Sequence, residues 1–265
     1  MVTSLNPQDL AALERAAQLL EHPGLGELIS RIIGHPIQLV ARTLPPGVFR
    51  RIHEACIKSI EAALRVALRT MQGKPAVRSR FLHNTLATAS GAAGGALGLA
   101  TLPIELPVST IIMLRAIAEI ARKEGEDLSD PEAALACVQV FALGGHGGGV
   151  VPSEGYFAIR SILTKGMADA TRYIAARGII EGGRPLLLRF ITQVAARFGT
   201  IVTMKVAAQT LPAIGALGGA TINYLFSNYF QNVAQGHFTI RRLERRYGKD
   251  AIETEYARIA QKYRL

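Results

Sequence analysis

Apolar residues return at intervals of three and four along nearly the whole chain, and no stretch alternates strictly between apolar and polar. That period puts one face of a helix against a core and gives a β-sheet no two-residue stripe to bury, so it predicts an all-α fold. The stretch "EACIKSIEAALRVALRTM" shows it most clearly: Ile57, Ile60, Leu64, Leu68 and Met71 make one stripe, and Glu54, Lys58, Glu61, Arg65 and Arg69 the opposite one. Glu54 with Lys58 and Glu61 with Arg65 stand at i,i+4 in the favourable order.

Proline and glycine punctuate the pattern at Pro23-Gly24, Pro45-Pro46-Gly47, Gly73 to Pro75, Pro103, Pro107, Gly125, Pro131, Gly144 to Gly149, Gly182-Gly183, Pro212 and Gly248. They cut the chain into roughly eight to ten helices. In "DLSDPEA", Ser129 or Asp130 is a candidate cap, with Pro131 at the first helical position and Glu132 in the first turn. No polar linker interrupts the chain, so residues 1–265 are expected to form a single compact multi-helix domain with Gly/Ala-rich central helices.

Three segments, 85–104, 134–153 and 206–240, carry no Asp, Glu, Lys or Arg. Each reaches the length of a bilayer span, yet all are built from Ala, Gly, Thr, Asn and Gln, which drive insertion weakly. Gly91 with Gly95, Gly94 with Gly98, and Gly215 with Gly219 have the spacing that lets two helices approach closely, in a membrane or in a tight core. The composition is equally intermediate, with 49% hydrophobic residues, 19% charged residues and a mean hydropathy of +0.23.

The 30 Lys and Arg against 20 Asp and Glu leave a net charge of +10. Arg50, Arg51, Lys58, Arg65 and Arg69 mark one basic region, and Arg241, Arg242, Arg245 and Arg246 in "RRLERR" mark another. Beside amphipathic helices, such clusters suit anionic lipid headgroups. Nucleic acid is disfavoured as a partner, because Trp is absent and the aromatics are not interleaved with the basic residues. Cys56 and Cys137 stand apart in apolar helical patterns and suggest no disulfide. The N-terminal segment lacks the basic start and apolar block of a signal peptide, which points to a cytoplasmic location.

"GGHGGG" at Gly144 to Gly149 contains the His-Gly-Gly-Gly string that lines the oxyanion hole of lipases and esterases. That chemistry also needs a nucleophile on a Gly-x-Ser-x-Gly elbow between strand and helix, and no serine here has that setting. His146 therefore reads as part of a connection between helices. It would gain a role only if Ser153, Glu154 or Glu105 stood beside it. The other histidines are scattered and form no His-Glu-x-x-His pair, so neither a metal site nor a cofactor is expected. Glu105, enclosed by Pro103 and Pro107 in an apolar stretch, needs either a cation, with Arg115 nearest in sequence, or a capping role; Asn223 is a comparable buried polar candidate.

Several strings together resemble the EcsC protein family: "LEHPGLGELISRIIGHPIQLVARTLP", "GAAGGALGLATLPIELPVSTIIMLRAIAEIARKEGEDLSDPE", "GYFAIRSIL" and "LPAIGALGGATINYLFSNYFQNVAQGHFTIRRLERRYG". The family takes its name from a bacterial operon that also encodes an ABC transporter. The resemblance implies a bacterial helical protein near membranes and supplies no catalytic residues. A shorter likeness, over residues 106–125 and 212–219, is to the C-terminal membrane-associated helical domain of some bacterial GTPases.

The reading is a non-catalytic, lipid-interacting or adaptor-like protein, peripheral to the inner membrane and linked to transport. Its partners would be an anionic membrane surface, an apolar lipid ligand or a membrane protein. The alternatives are a peptide or lipid hydrolase with an unfamiliar helical site, and a homo-oligomeric scaffold.

Overall fold

Capping and turn residues set the helix ends. In a computed structural model, which describes residues 5–21, 24–34, 36–70, 102–144, 155–177, 184–210 and 215–262, every regular element is helical. Four helices form the N-terminal part: α1 (Pro7–Glu21), α2 (Leu25–Ile33), α3 (Ile37–Arg42) and α4 (Pro46–Thr70). Then come α5 (Leu102–Lys123), α6 (Pro131–Leu143), α7 (Tyr156–Arg177), α8 (Arg184–Gln209), α9 (Gly215–Tyr247) and α10 (Lys249–Ala260). The ten described helices confirm the all-α expectation.

Asp130 caps α6 by accepting a hydrogen bond from the Glu132 amide, with Pro131 at the start of the helix, so the reading of "DLSDPEA" holds. Gly248, at φ 88°, makes the left-handed turn that separates α9 from α10. Pro107 differs from expectation, because α5 runs straight through it. The amide that proline lacks would have bonded only the carbonyl of Pro103 in the first turn, so little of the helical ladder is lost.

The short helix α6 is the centre of the molecule. Every residue from Ala133 to Leu143 is buried, which a helix tolerates only when it is apolar on nearly all sides, as here with Gln139 the one polar side chain, and wrapped by others. Phe141 of α6 meets Phe198 of α8 at 5.1 Å and Phe230 of α9 at 5.2 Å between ring centroids, and Phe226 extends the cluster at 5.2 Å from Phe230. These tilted and edge-on contacts join three helices in one aromatic core. The described part of the uncharged segment 134–153 is thus protein interior. Among the described residues, no helix is long and apolar enough to cross a membrane.

Around this centre, α4 packs between α5 and α8, α7 lies against α6 and α8, and the long α9 crosses α1 and α5. The crossing of α9 with α1 depends on Gly236, where an added Cβ would lie 2.7 Å from Leu20 Cγ and 3.1 Å from the Ala16 carbonyl oxygen. Gly144 closes α6 with the same tightness. At φ −71° its conformation suits any residue, but a Cβ there would come within 2.9 Å of the Tyr229 ring and 3.1 Å of Phe230. Tyr229 also donates a hydrogen bond to the Gly144 carbonyl. The first glycine of the Gly-rich segment is therefore required by packing. Gly91, Gly95 and His146 lie outside the described residues. Gly215 and Gly219 fall in the first turns of α9, and their packing also lies outside the described part.

Candidate functional site

Four places bring polar or chemically useful groups together, and they differ sharply in what they can do.

The first is buried charge. Glu105 on α5 and Lys205 on α8 are 8% and 0% exposed, and Lys205 Nζ donates to Glu105 Oε1 at 2.6 Å. The ammonium also lies 5.0 Å from the centroid of the Phe226 ring. Arg115, the partner suggested by sequence proximity, is exposed further along α5 instead. Helical geometry explains the correction, because ten residues along a helix is nearly three turns and carries Arg115 out of reach. Asn223 is buried, and among the described residues its Nδ2 has no hydrogen-bond partner.

The second is the arginine cluster of α9, expected at a lipid surface. Arg241 pairs with Glu126 at 2.9 Å and Glu132 at 3.4 Å, and Arg245 pairs with Glu126. On the adjoining face Arg242 reaches Glu124 at 2.8 Å and Asp9 at 3.3 Å, while Arg246 reaches Asp9 at 2.8 Å. Burial alone would push Asp9 and Glu126 up. For Asp9, the Tyr247 hydroxyl and the guanidiniums of Arg242 and Arg246 outweigh it; for Glu126, those of Arg241 and Arg245 do, so both carboxyls sit below their ordinary values. All four arginines therefore clamp α9 to α1 and to the turn after α5. The sequence showed the cations but not their carboxylates, which come from segments more than a hundred residues away.

The third is a buried network between α7 and α9. Arg160 forms a two-pronged pair with Glu244 at 2.6 and 2.7 Å, and Tyr156 Oη lies 2.8 Å from His237 Nδ1. Arg160 donates to the Tyr156 oxygen at 3.4 Å, so the phenol donates in turn to Nδ1 and the imidazole carries its proton on Nε2. Burial pushes the Tyr156 hydroxyl up to about 12, which keeps it a donor. His237 is held well below its ordinary value, first by burial and then by the charges of Arg160 and Arg241.

That depression has a sign and a measurable consequence. The unfolded chain takes up a proton at this histidine below about pH 6.5 and the folded chain does not. Stability is therefore fully present above that value and falls as the pH drops below it, by up to about 1.4 kcal/mol per pH unit. Denaturant midpoints at pH 7, 6 and 5 should show this slope in the wild type and lose it in His237→Gln.

The fourth is a groove of about 730 Å³ between α3, α4 and α8. Ala41, Phe49, Ile52, Ala196 and Met204 make it apolar, and Arg42 and His53 stand among its lining residues. Next to it, Arg50, Arg51, Lys58 and Arg65 are exposed along α4, with no ion pair among the described residues. The side chain of Arg69 lies outside the described part.

For the hydrolase alternative, His146, Ser153 and Glu154 lie outside the described residues, while Glu105 is committed to Lys205. Cys56 and Cys137 are buried thiols; burial pushes Cys56 up to about 12 and raises Cys137 as well, so neither is a ready thiolate. Among the described residues, no group of three His, Cys, Asp or Glu is placed to hold a metal ion.

Together these features define an all-α domain in which a buried central helix is wrapped by longer helices and an apolar groove opens beside the exposed cations of α4. The chain belongs to the EcsC protein family, whose model matches residues 8–243. The match takes in α1 to α8 and nearly all of α9, so the core, the groove and most of the ion-pair network lie within the family's extent. No curated protein and no solved structure matches the chain.

Proposed function

We propose that this protein docks on an anionic membrane surface, at the cytoplasmic face of the inner membrane, and acts there as a lipid-interacting or adaptor-like component without catalysis. The observation that carries the reading is the contrast between its two basic regions. The arginines of α9 are neutralised by carboxylates within the fold, whereas Arg50, Arg51, Lys58 and Arg65 of α4 are exposed and form no ion pair among the described residues.

Large apolar side chains accompany these cations: Ile32, Leu39 and Phe49, on α2, α3 and the start of α4, are 59%, 55% and 41% exposed. Exposed apolar anchors together with exposed cations are the combination by which a protein lies in an anionic lipid interface. Each basic residue near such a surface is worth about 1 kcal/mol. The triple variant Arg50→Gln, Arg51→Gln, Lys58→Gln should therefore bind phosphatidylglycerol vesicles about 100-fold more weakly in co-sedimentation at low salt. Wild-type protein should lose its binding as salt is raised and should ignore purely zwitterionic vesicles. Equal sedimentation of the triple variant and the wild type would sink the proposal.

A further inference from the structure

We propose that the groove between α3, α4 and α8 binds an uncharged single-chain lipid, a long-chain alcohol or its monoester, with the hydrocarbon along α8 and the oxygen at His53. The inference rests on the lipid-interacting reading above only for choosing a lipid among uncharged apolar molecules.

The shape of the groove selects a chain. On α8 its lining runs from Ala196 to Met204, a rise of about 12 Å, while Ala41, Phe49 and Ile52 supply apolar surface from α3 and α4. The volume of about 730 Å³ falls within the range of small-molecule sites, roughly 300–1,000 Å³. Gly199 lies along this run and leaves space that packing does not require, since an added Cβ would meet only Cys56 Sγ, at an ordinary 3.9 Å.

The polar lining residues select against a charge. Thr200 and Thr203 turn their hydroxyls into α8, donating to the carbonyls of Arg197 and Gly199 at 2.7 Å each. Gln38 is tied through its side-chain oxygen to the Ser30 hydroxyl at 3.1 Å, and Arg42 already has an interaction partner. A charged headgroup would therefore shed water here without gaining an uncommitted counter-ion from these four residues. His53 is the remaining polar residue of the described lining, and its ring has no hydrogen-bond partner among the described residues. An imidazole donates an N–H whether or not it is protonated, so a hydroxyl or ester oxygen suits it in either form.

The chain contains no tryptophan, so Phe49→Trp places a single reporter in the groove, and its 41% exposure leaves room for the larger ring. The full-length variant would be titrated with octanol, nonanol and decanol below their solubility limits, in the absence of vesicles. Calorimetry on the wild-type protein would run in parallel.

The expected result is a saturable blue shift and heat, with affinity rising about two- to fourfold per added methylene. Decanoate and decyltrimethylammonium should each bind about tenfold more weakly than decanol, or weaker still. His53→Ala should weaken decanol about fivefold. Ala196→Phe, at an exposed position in the groove, should abolish saturation, and Gly199→Leu, which fills the same space from α8, should do the same. Three results would overturn the site: a charged chain binding as tightly as decanol, no saturable binding in either measurement, or indifference to these substitutions. The vesicle experiment separates the two claims. Vesicle binding without decanol binding removes the groove alone, and saturable decanol binding without vesicle binding supports the groove while removing the surface-docking reading.

Discussion

Lys205→Met is expected to destabilise the protein by about 3–5 kcal/mol, because it strips the counter-charge from a carboxylate that is 8% exposed. The substitution roughly keeps the volume of the side chain and its apolar contact with Phe226, so lost packing contributes little. What remains is the cost of an unpaired charge in the interior, since Glu105 Oε1 accepts its 2.6 Å bond from Lys205 Nζ.

The double variant Glu105→Leu, Lys205→Met separates that cost from the worth of the pair. Replacing both partners of a buried ion pair with apolar residues is often neutral or stabilising, so the double variant should lie within about 1 kcal/mol of the wild type or above it. Urea unfolding of the wild type, Glu105→Leu, Lys205→Met and the double variant gives the coupling directly as a double-mutant cycle. A double variant as unstable as Lys205→Met alone would mean that packing, not charge, governs the site.

That pair also shows how far local reading reaches. Glu105 was legible as a buried carboxylate in need of a cation, since an acidic residue in an apolar stretch is costly without one. Proximity in sequence points to Arg115, and the actual partner is one hundred residues away on another helix. The signal for Lys205 was present in "GTIVTMKVAAQTLP", where it is the lone charge among apolar and neutral residues. Two lone opposite charges in uncharged surroundings are each other's natural partners, a non-local rule that proximity overrode.

The helices themselves were easier. Their period and the Asp130 cap are encoded within a few residues of where they act, and the structure bears them out, whereas Pro107 sits inside a helix where a break is expected. The basic clusters were visible but indistinguishable in sequence. The arginines of α9 and the exposed cations of α4 differ only in whether distant carboxylates such as Asp9, Glu124 and Glu126 fold against them. The groove was not legible at all, because Ala41, Ile52 and Met204 read as core and only the arrangement of three helices opens a surface between them. Gly236 is hidden in the sequence for a related reason. It belongs to no small-residue repeat, yet α1 crosses α9 at its bare Cα.

Arg160→Met should cost a similar 3–5 kcal/mol, and it should also change how stability responds to acid. Glu244, at 8% exposure, loses the two-pronged guanidinium that satisfies both its oxygens, and the rings of Tyr156 and Phe157 lose the cation 5.9 Å from their centroids. The same guanidinium is one of the charges that hold His237 neutral. With Arg160 gone and Glu244 still ionised, protonated His237 would face one less cation and an unopposed carboxylate on its own helix. Its folded-state value should rise toward that of the unfolded chain, and the loss of stability below about pH 6.5 should shrink. Glu244→Gln has the opposite balance: Arg160 keeps its charge near the imidazole and loses its counter-ion, so the acid slope should be kept or steepened. Denaturant midpoints at pH 7.5 and 5.5 for the two variants distinguish the cases. If Arg160→Met keeps the full wild-type slope, burial and the charge of Arg241 suffice to hold His237 neutral, and the Arg160–Glu244 pair serves only to fasten α7 to α9.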